Sequence, residues 1–366
     1  MKKFSVVVIF IVAVFCLIGA FFASTASAQV IKWRMLSCWP AQSSLWQAAT
    51  RLSKNIYELS GGRLQITCHP AGEIVPAAGV FDAVSRGAAE MGQDWATYWA
   101  GKNSAFDLLG SFPMTLSQHD MINWFIHGEG REMFNYMYGK YNMIYFINGI
   151  TPVGSGIRSR MPLKSLDDLR GKKIRMSGKA AGYILQKVGA VQVLTPAAEI
   201  SQALAMGVID GASFNTPNVD MSLGMTEVTK FCLSPGWNMP SASGGIMINK
   251  DAWNSLTPDL KKIVEIAIAE SNHYFTALAD WDNANALKSF AAKGLVVHRL
   301  SEKELRQIEQ WTYEYIEEEA KKNPDFDKVA TSMFNFLKEY APIRDYQVPY
   351  EHGRNPLSYP KLRNLK

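Results

Sequence analysis

The sequence predicts an α/β protein of two lobes, with mixed, mostly parallel sheets and one long helix spanning both. Three observations predict it. Short β-rich runs alternate with amphipathic helical stretches along most of the chain, the pattern of strands in a sheet covered by helices. Residues 29–366 are more than one hydrophobic core usually serves, which favours two units. Leu256 to Ala292 is almost continuously helical, far longer than an average helix, and so suits a brace across two units.

The chain begins with a leader. Lys2 and Lys3 precede the apolar run from Val6 to Phe22, and Ala26, Ser27 and Ala28 form a small-residue cleavage site. Residues 1–28 therefore read as a secretory signal and the mature chain as soluble outside the cytoplasm, in the periplasm. Losing Lys2 and Lys3 lowers the formal charge from +5 to +3. The remaining charges are interspersed, which does not suggest a nucleic-acid surface.

Ile31 to Cys38 is a strand, Ser43 to Ser60 a helix stopped by Gly61 and Gly62, and Leu64 to His69 a second strand, which makes a βαβ opening. Phe81 to Gly87 follows as a helix, Glu90 to Asp94 as a short strand, Ser117 to Tyr138 as one long amphipathic helix, and Met143 to Gly149 as a strand. A second unit starts near Thr151. It carries strands at Lys173 to Met176, Val191 to Leu194 and Val208 to Phe214, with helices at Ala180 to Val188 and Glu199 to Met206. After Lys230 to Pro235 and the turn at Gly236 and Trp237, the strand Gly245 to Asn249 returns to the first lobe. Residues 29–150 with about 239–272 then form the first lobe, and 151–238 with about 273–300 the second. Residues 301–366 are a helical extension.

Arg175 stands at the end of a mid-chain strand. Its planar fork of donors matches a carboxylate edge to edge and suits recognition of a small organic anion. Cys38, Cys68 and Cys232 remain after the leader; an odd number leaves at least one free thiol, and buried thiols are expected. Trp39, Trp95 and Tyr98 follow first-lobe strands and Phe214 and Trp237 come from the second unit, so both lobes offer apolar walls to a cleft.

Five segments in order carry a family resemblance: Gly61 to Leu64, Ala71 to Glu73, Asp167 to Arg175, Glu199 to Gly207, and Ile209 to Gly211. The chain resembles the substrate-binding proteins of TRAP (tripartite ATP-independent periplasmic) transporters, most closely the branch that binds 2-oxo acids and related monocarboxylates. The resemblance implies a type II-like periplasmic-binding-protein clamp that closes on an organic acid and delivers it to a membrane permease. It also implies that Arg175 holds the substrate carboxylate.

In that branch a metal ion bridges substrate and protein through a glutamine, a Glu-Trp pair and a further glutamate. The corresponding positions here are Gly154 or Ser155, Ser213 with Phe214, and Asn238 or Met239. A hard cation needs several oxygens, usually with carboxylates among them, so no site metal and no cofactor are expected. Ser155, Asn215 and Asn238 are the candidates for the second half of the ligand, since neutral amides and hydroxyls can bond a keto or hydroxyl oxygen. Arg158 reads as a rim charge.

No metal-ligand histidine pair, Gly-x-Ser-x-Gly elbow or Gly-rich phosphate loop occurs, so an enzyme is not expected. A sensor subunit presenting the ligand to a receptor stays open beside the transport reading. The apolar helix within Asp325 to Tyr340 either docks on its own domain or, as in the resembled branch, exchanges between protomers to form a homodimer.

Overall fold

The computed structural model describes residues 30–347; the leader and the chain after Gln347 lie outside the described residues. Strands β1 (Ile31–Ser37) and β2 (Leu64–His69) pair in parallel, with Met35 against Cys68. The helix Ser44–Leu59 connects them. Ser43 starts it by accepting the N–H of Leu45 on its hydroxyl, and Ala49, Leu52 and Ile56 bury one face at helical spacing. Strand β3 (Met91–Trp95) joins the other side of β1 in parallel, and β4 (Met143–Thr151) completes the outbound first lobe.

The chain then builds a second sheet from β5 (Ile157–Ser159), β6 (Lys173–Arg175), β7 (Val191–Val193), β8 (Gly211–Ala212) and β9 (Phe231–Ser234). Strand β10 (Ala242–Asn249) returns between β3 and β4, antiparallel to both, because it enters from the second lobe against the direction of the opening βαβ unit. Strand β11 (Val296–Arg299) edges the second sheet beside β9. The orders are β2-β1-β3-β10-β4 and β11-β9-β5-β8-β6-β7, so both sheets are mixed.

The helix Pro258–Ala292 braces the two lobes. Leu260, Val264 and Ile268 bury against the first sheet, and Asn283, Ala286 and Phe290 are buried further along. Asn283 accepts the main-chain N–H of Asn218 from the second lobe at 2.9 Å. The extension ties the lobes again. The helix Glu302–Ala320, opened by the capping box of Ser301 and Glu304, adds Ile308 to the second-lobe core. The helix Pro324–Gln347 then packs Phe326, Val329 and Met333 into the first-lobe core beside Phe112, Trp124 and Phe134, on its own chain.

Three expectations are corrected. The stretch Ser117 to Tyr138 is two helices, Gln118–Ile126 and Gly130–Gly139. A Cβ at Gly130 would stand 2.8 Å from the Phe125 Cα and 2.9 Å from the Trp124 carbonyl oxygen, so the second helix packs on the end of the first through a bare backbone. The run Val208 to Phe214 pairs as strand only at Gly211–Ala212, while Asp210 bonds the Lys173 N–H with its carboxylate. Arg158 is not a rim charge. It is 1 % exposed, ion-paired to Asp220 at 3.2 Å and set over the Phe290 ring of the brace.

Cys38, Cys68 and Cys232 are all free thiols. The register that puts Met35 beside Cys68 leaves Cys38 beyond the paired strand. Among the described residues no helix is long and apolar enough to cross a membrane.

Candidate functional site

Arg175 ends β6, and the second sheet brings it to the interlobe face. Its side chain is 2 % exposed. Nε donates to the Thr195 carbonyl at 3.2 Å and Nη1 to the Ser213 carbonyl at 2.8 Å, while the guanidinium carbon lies 4.9 Å from the centre of the Phe214 ring. Among the described residues it forms no ion pair. Burial pushes the guanidinium below its ordinary value, and Tyr98 of the first lobe opposes this. Carbonyl dipoles and an aromatic face offset only part of the cost of a buried cation, so the remaining field favours an anion. Burial likewise pushes the Tyr98 phenol up to about 12, with Arg175 pulling the other way.

A cavity of about 440 Å³ opens between the lobes here, with Tyr98 and Trp99 on one side and Arg175, Ser177 and Gln192 on the other. The Gln192 amide donates to the carbonyls of Met176 and Gly178, which fixes the turn after Arg175. A smaller cavity of about 90 Å³ has Trp39, Gln93, Trp95 and Asn148 facing Asn215 and Thr216, with Phe275 and Leu278 of the brace. Trp95 and Tyr98, edge to face at 5.2 Å, line one cavity each.

Trp39, Trp95 and Phe214 share one apolar cluster made by both lobes, with Tyr98 packed against it. Asn238 is buried and accepts the Ser213 hydroxyl at 3.1 Å, which links it to the residue whose carbonyl holds Arg175. Asn215 spends its side-chain oxygen on the N–H of Thr216, so its amide nitrogen is the group left for the small cavity. Ser155 bonds Asn215 through the main chain, and its buried hydroxyl has no partner. Trp237 is elsewhere. Its ring packs with Ile174, Met176 and Leu300 in the second-lobe core, because the turn that carries it folds inward over apolar residues. His69 bonds Glu73 at 2.7 Å, a local contact.

Sequence reasoning missed Ser213 as a contact, although it quoted the position. It also missed Gln192, Thr195 and Asp107. None of these four lies in a motif, and the two carbonyl contacts to Arg175 are indifferent to residue type.

The groups around Arg175 do not fit a hard cation. Ser213 and Asn238 are neutral, and one of the Asn238 acceptor sites is taken. Among the described residues no group of three or more His, Cys, Asp or Glu is arranged to hold a metal.

Residues 36–323 match the family described as bacterial extracellular solute-binding protein, family 7. The monocarboxylate 2-oxoacid-binding periplasmic protein of Nostoc sp. is 32% identical over 337 residues, covering 90% of this chain and 92% of its own. A TRAP transporter solute binding protein from Bordetella bronchiseptica, a mixed occupancy dimer with calcium and picolinate bound, superposes with a TM-score of 0.83 at 30% identity, over 87% of this chain and 95% of its own. A TRAP periplasmic solute binding protein from Pseudoalteromonas atlantica with bound sodium and pyruvate gives 0.82 at 26% identity, over 87% and 97%.

Proposed function

Since the chain belongs to the bacterial extracellular solute-binding proteins of family 7, the binding proteins of TRAP transporters, we propose that it captures one small organic acid anion, a 2-oxo or hydroxy monocarboxylate, and delivers it to the membrane permease subunits of a TRAP transporter. Members of the family are periplasmic and bind solutes rather than transform them. In this reading residues 1–28 export the chain, with cleavage near Ala28.

The observation that carries the proposal is a buried guanidinium on the interlobe face without an acidic partner. In this reading the carboxylate enters the Arg175 and Tyr98 cavity and takes the guanidinium donors that the two carbonyls leave over. Asn238, Ser155 and Asn215 supply neutral polar contacts to the keto or hydroxyl end. Trp39, Trp95, Tyr98 and Phe214 exclude water, which strengthens the ion pair by lowering the local dielectric. Two of the similar structures hold calcium or sodium together with an acid; in this reading Arg175 is the main positive charge that holds the anion.

The test is a thermal-shift screen and titration calorimetry over 2-oxo, hydroxy, aromatic and sulfonic acids, with EDTA present throughout. Binding should raise the melting temperature by mass action and survive the chelator. Arg175→Ala should stay folded and lose about 100-fold or more in affinity, since truncating one partner of a buried charge pair costs roughly 3–5 kcal/mol. Unchanged affinity in that variant rules out the assignment.

A further inference from the structure

We infer that Asp107 is an interlobe latch, a positioning residue that strengthens solute binding by holding the closed lobes together without touching the solute. The inference rests on the clamp reading above.

Asp107 lies in the first-lobe helix Ala105–Gly110 and is 1 % exposed. Its Oδ2 accepts the main-chain N–H groups of Lys179 at 2.8 Å and Ala180 at 3.1 Å. These open the second-lobe helix Lys179–Lys187, directly after the strand and turn that carry Arg175. A helix start leaves its first N–H groups without partners, and a side-chain oxygen at the cap normally takes one. Here the cap position is Gly178, which has no side chain, so the other lobe provides the carboxylate.

The same glycine sets the approach of the lobes. Gly178 has a φ of +95°, and a Cβ there would stand 2.8 Å from Asp107 Oδ1. Ser177, Gly178 and Lys179 also line the Arg175 cavity, so one turn faces the latch on one side and the anion on the other.

When the lobes part, the carboxylate and both N–H groups return to water. The bonds therefore count only in the closed state, and an interaction confined to one state shifts the equilibrium toward it and toward whatever binds there. A cap of this kind is worth roughly a tenfold change in an equilibrium. Lys179 and Glu319 are the charged groups acting on Asp107, and burial pushes its carboxyl up to about 7 against the pull of the two N–H groups. The comparison is therefore made at pH 8, where the carboxylate is ionised.

Wild type, Asp107→Ala and Asp107→Asn are compared by amide hydrogen exchange and by titration with pyruvate, lactate and phenylpyruvate. Exchange at Lys179 and Ala180 should be faster in Asp107→Ala than in wild type, with or without acid. The dissociation constant should rise about tenfold in Asp107→Ala and less in Asp107→Asn, which keeps an acceptor oxygen. A fall in ligand-free melting temperature with unchanged affinity makes Asp107 a structural cap and overturns the latch, as does equal exchange in all three proteins. If wild type binds none of the acids, the solute reading fails, while the exchange comparison still decides the latch.

Discussion

At the scale of single residues, burial decides which charges hold the fold and which face a ligand. Arg158 and Arg175 are both almost fully buried strand arginines of the same lobe, and they differ in their partners. Arg158 faces Asp220 and is neutralised by it; Arg175 faces carbonyls and is not. Asp94 shows the same rule with the opposite charge. Burial pushes its carboxyl up to about 7, against the bonds it accepts from Trp99 and Tyr138. An unfolded aspartate titrates near 4, so between about 4 and 7 the folded protein holds a proton that the unfolded chain has released. This contribution to stability is fully present below the unfolded value and is lost as pH rises through about 7. The melting temperature of wild type minus that of Asp94→Asn should therefore fall from pH 5 to pH 8. A flat difference would show that Asp94 titrates normally.

At the scale of elements, periodicity locates helices and close packing decides where they stop. The apolar pattern of Ser117 to Tyr138 continues through Gly128 and Gly130, yet the chain turns there because Gly130 meets the backbone of Trp124 and Phe125. Gly130→Ala should destabilise the protein by about 1–3 kcal/mol, as overpacking does in a filled interior. Urea unfolding measures it, and a neutral result would mean that the two helices are free to separate. The brace Pro258–Ala292 was legible because no helix stop interrupts it. The strand Val208 to Phe214 was not read to its true extent: Val208, Ile209 and Phe214 have strand propensity, but only Gly211 and Ala212 lie between two neighbouring strands.

At the scale of the whole molecule, the lobes are joined by the crossings before β5 and before β10, by the brace and by the extension. Phe326, Val329 and Met333 fill the first-lobe core, and each contributes about 1.5–3 kcal/mol by leaving water. Truncation after Asn323 should therefore lower the melting temperature sharply and expose surface that binds a hydrophobic dye. A truncated protein as stable as the full chain would show that the helix is dispensable to the lobe. The radius of gyration should also shrink when an acid binds, and small-angle scattering that is identical with and without acid would remove the hinge motion.

The sequence alone determined the alternation of elements, the two lobes, the brace and the strand-end placement of Arg175, because these follow from periodicity, glycine stops and residue chemistry within short windows. Only the tertiary structure decided that Arg158 is neutralised while Arg175 is not, that Trp237 turns into the core, and that Asp107 caps a helix of the other lobe. Each depends on which distant groups share a volume from which water is excluded, and such proximity leaves no mark in local sequence.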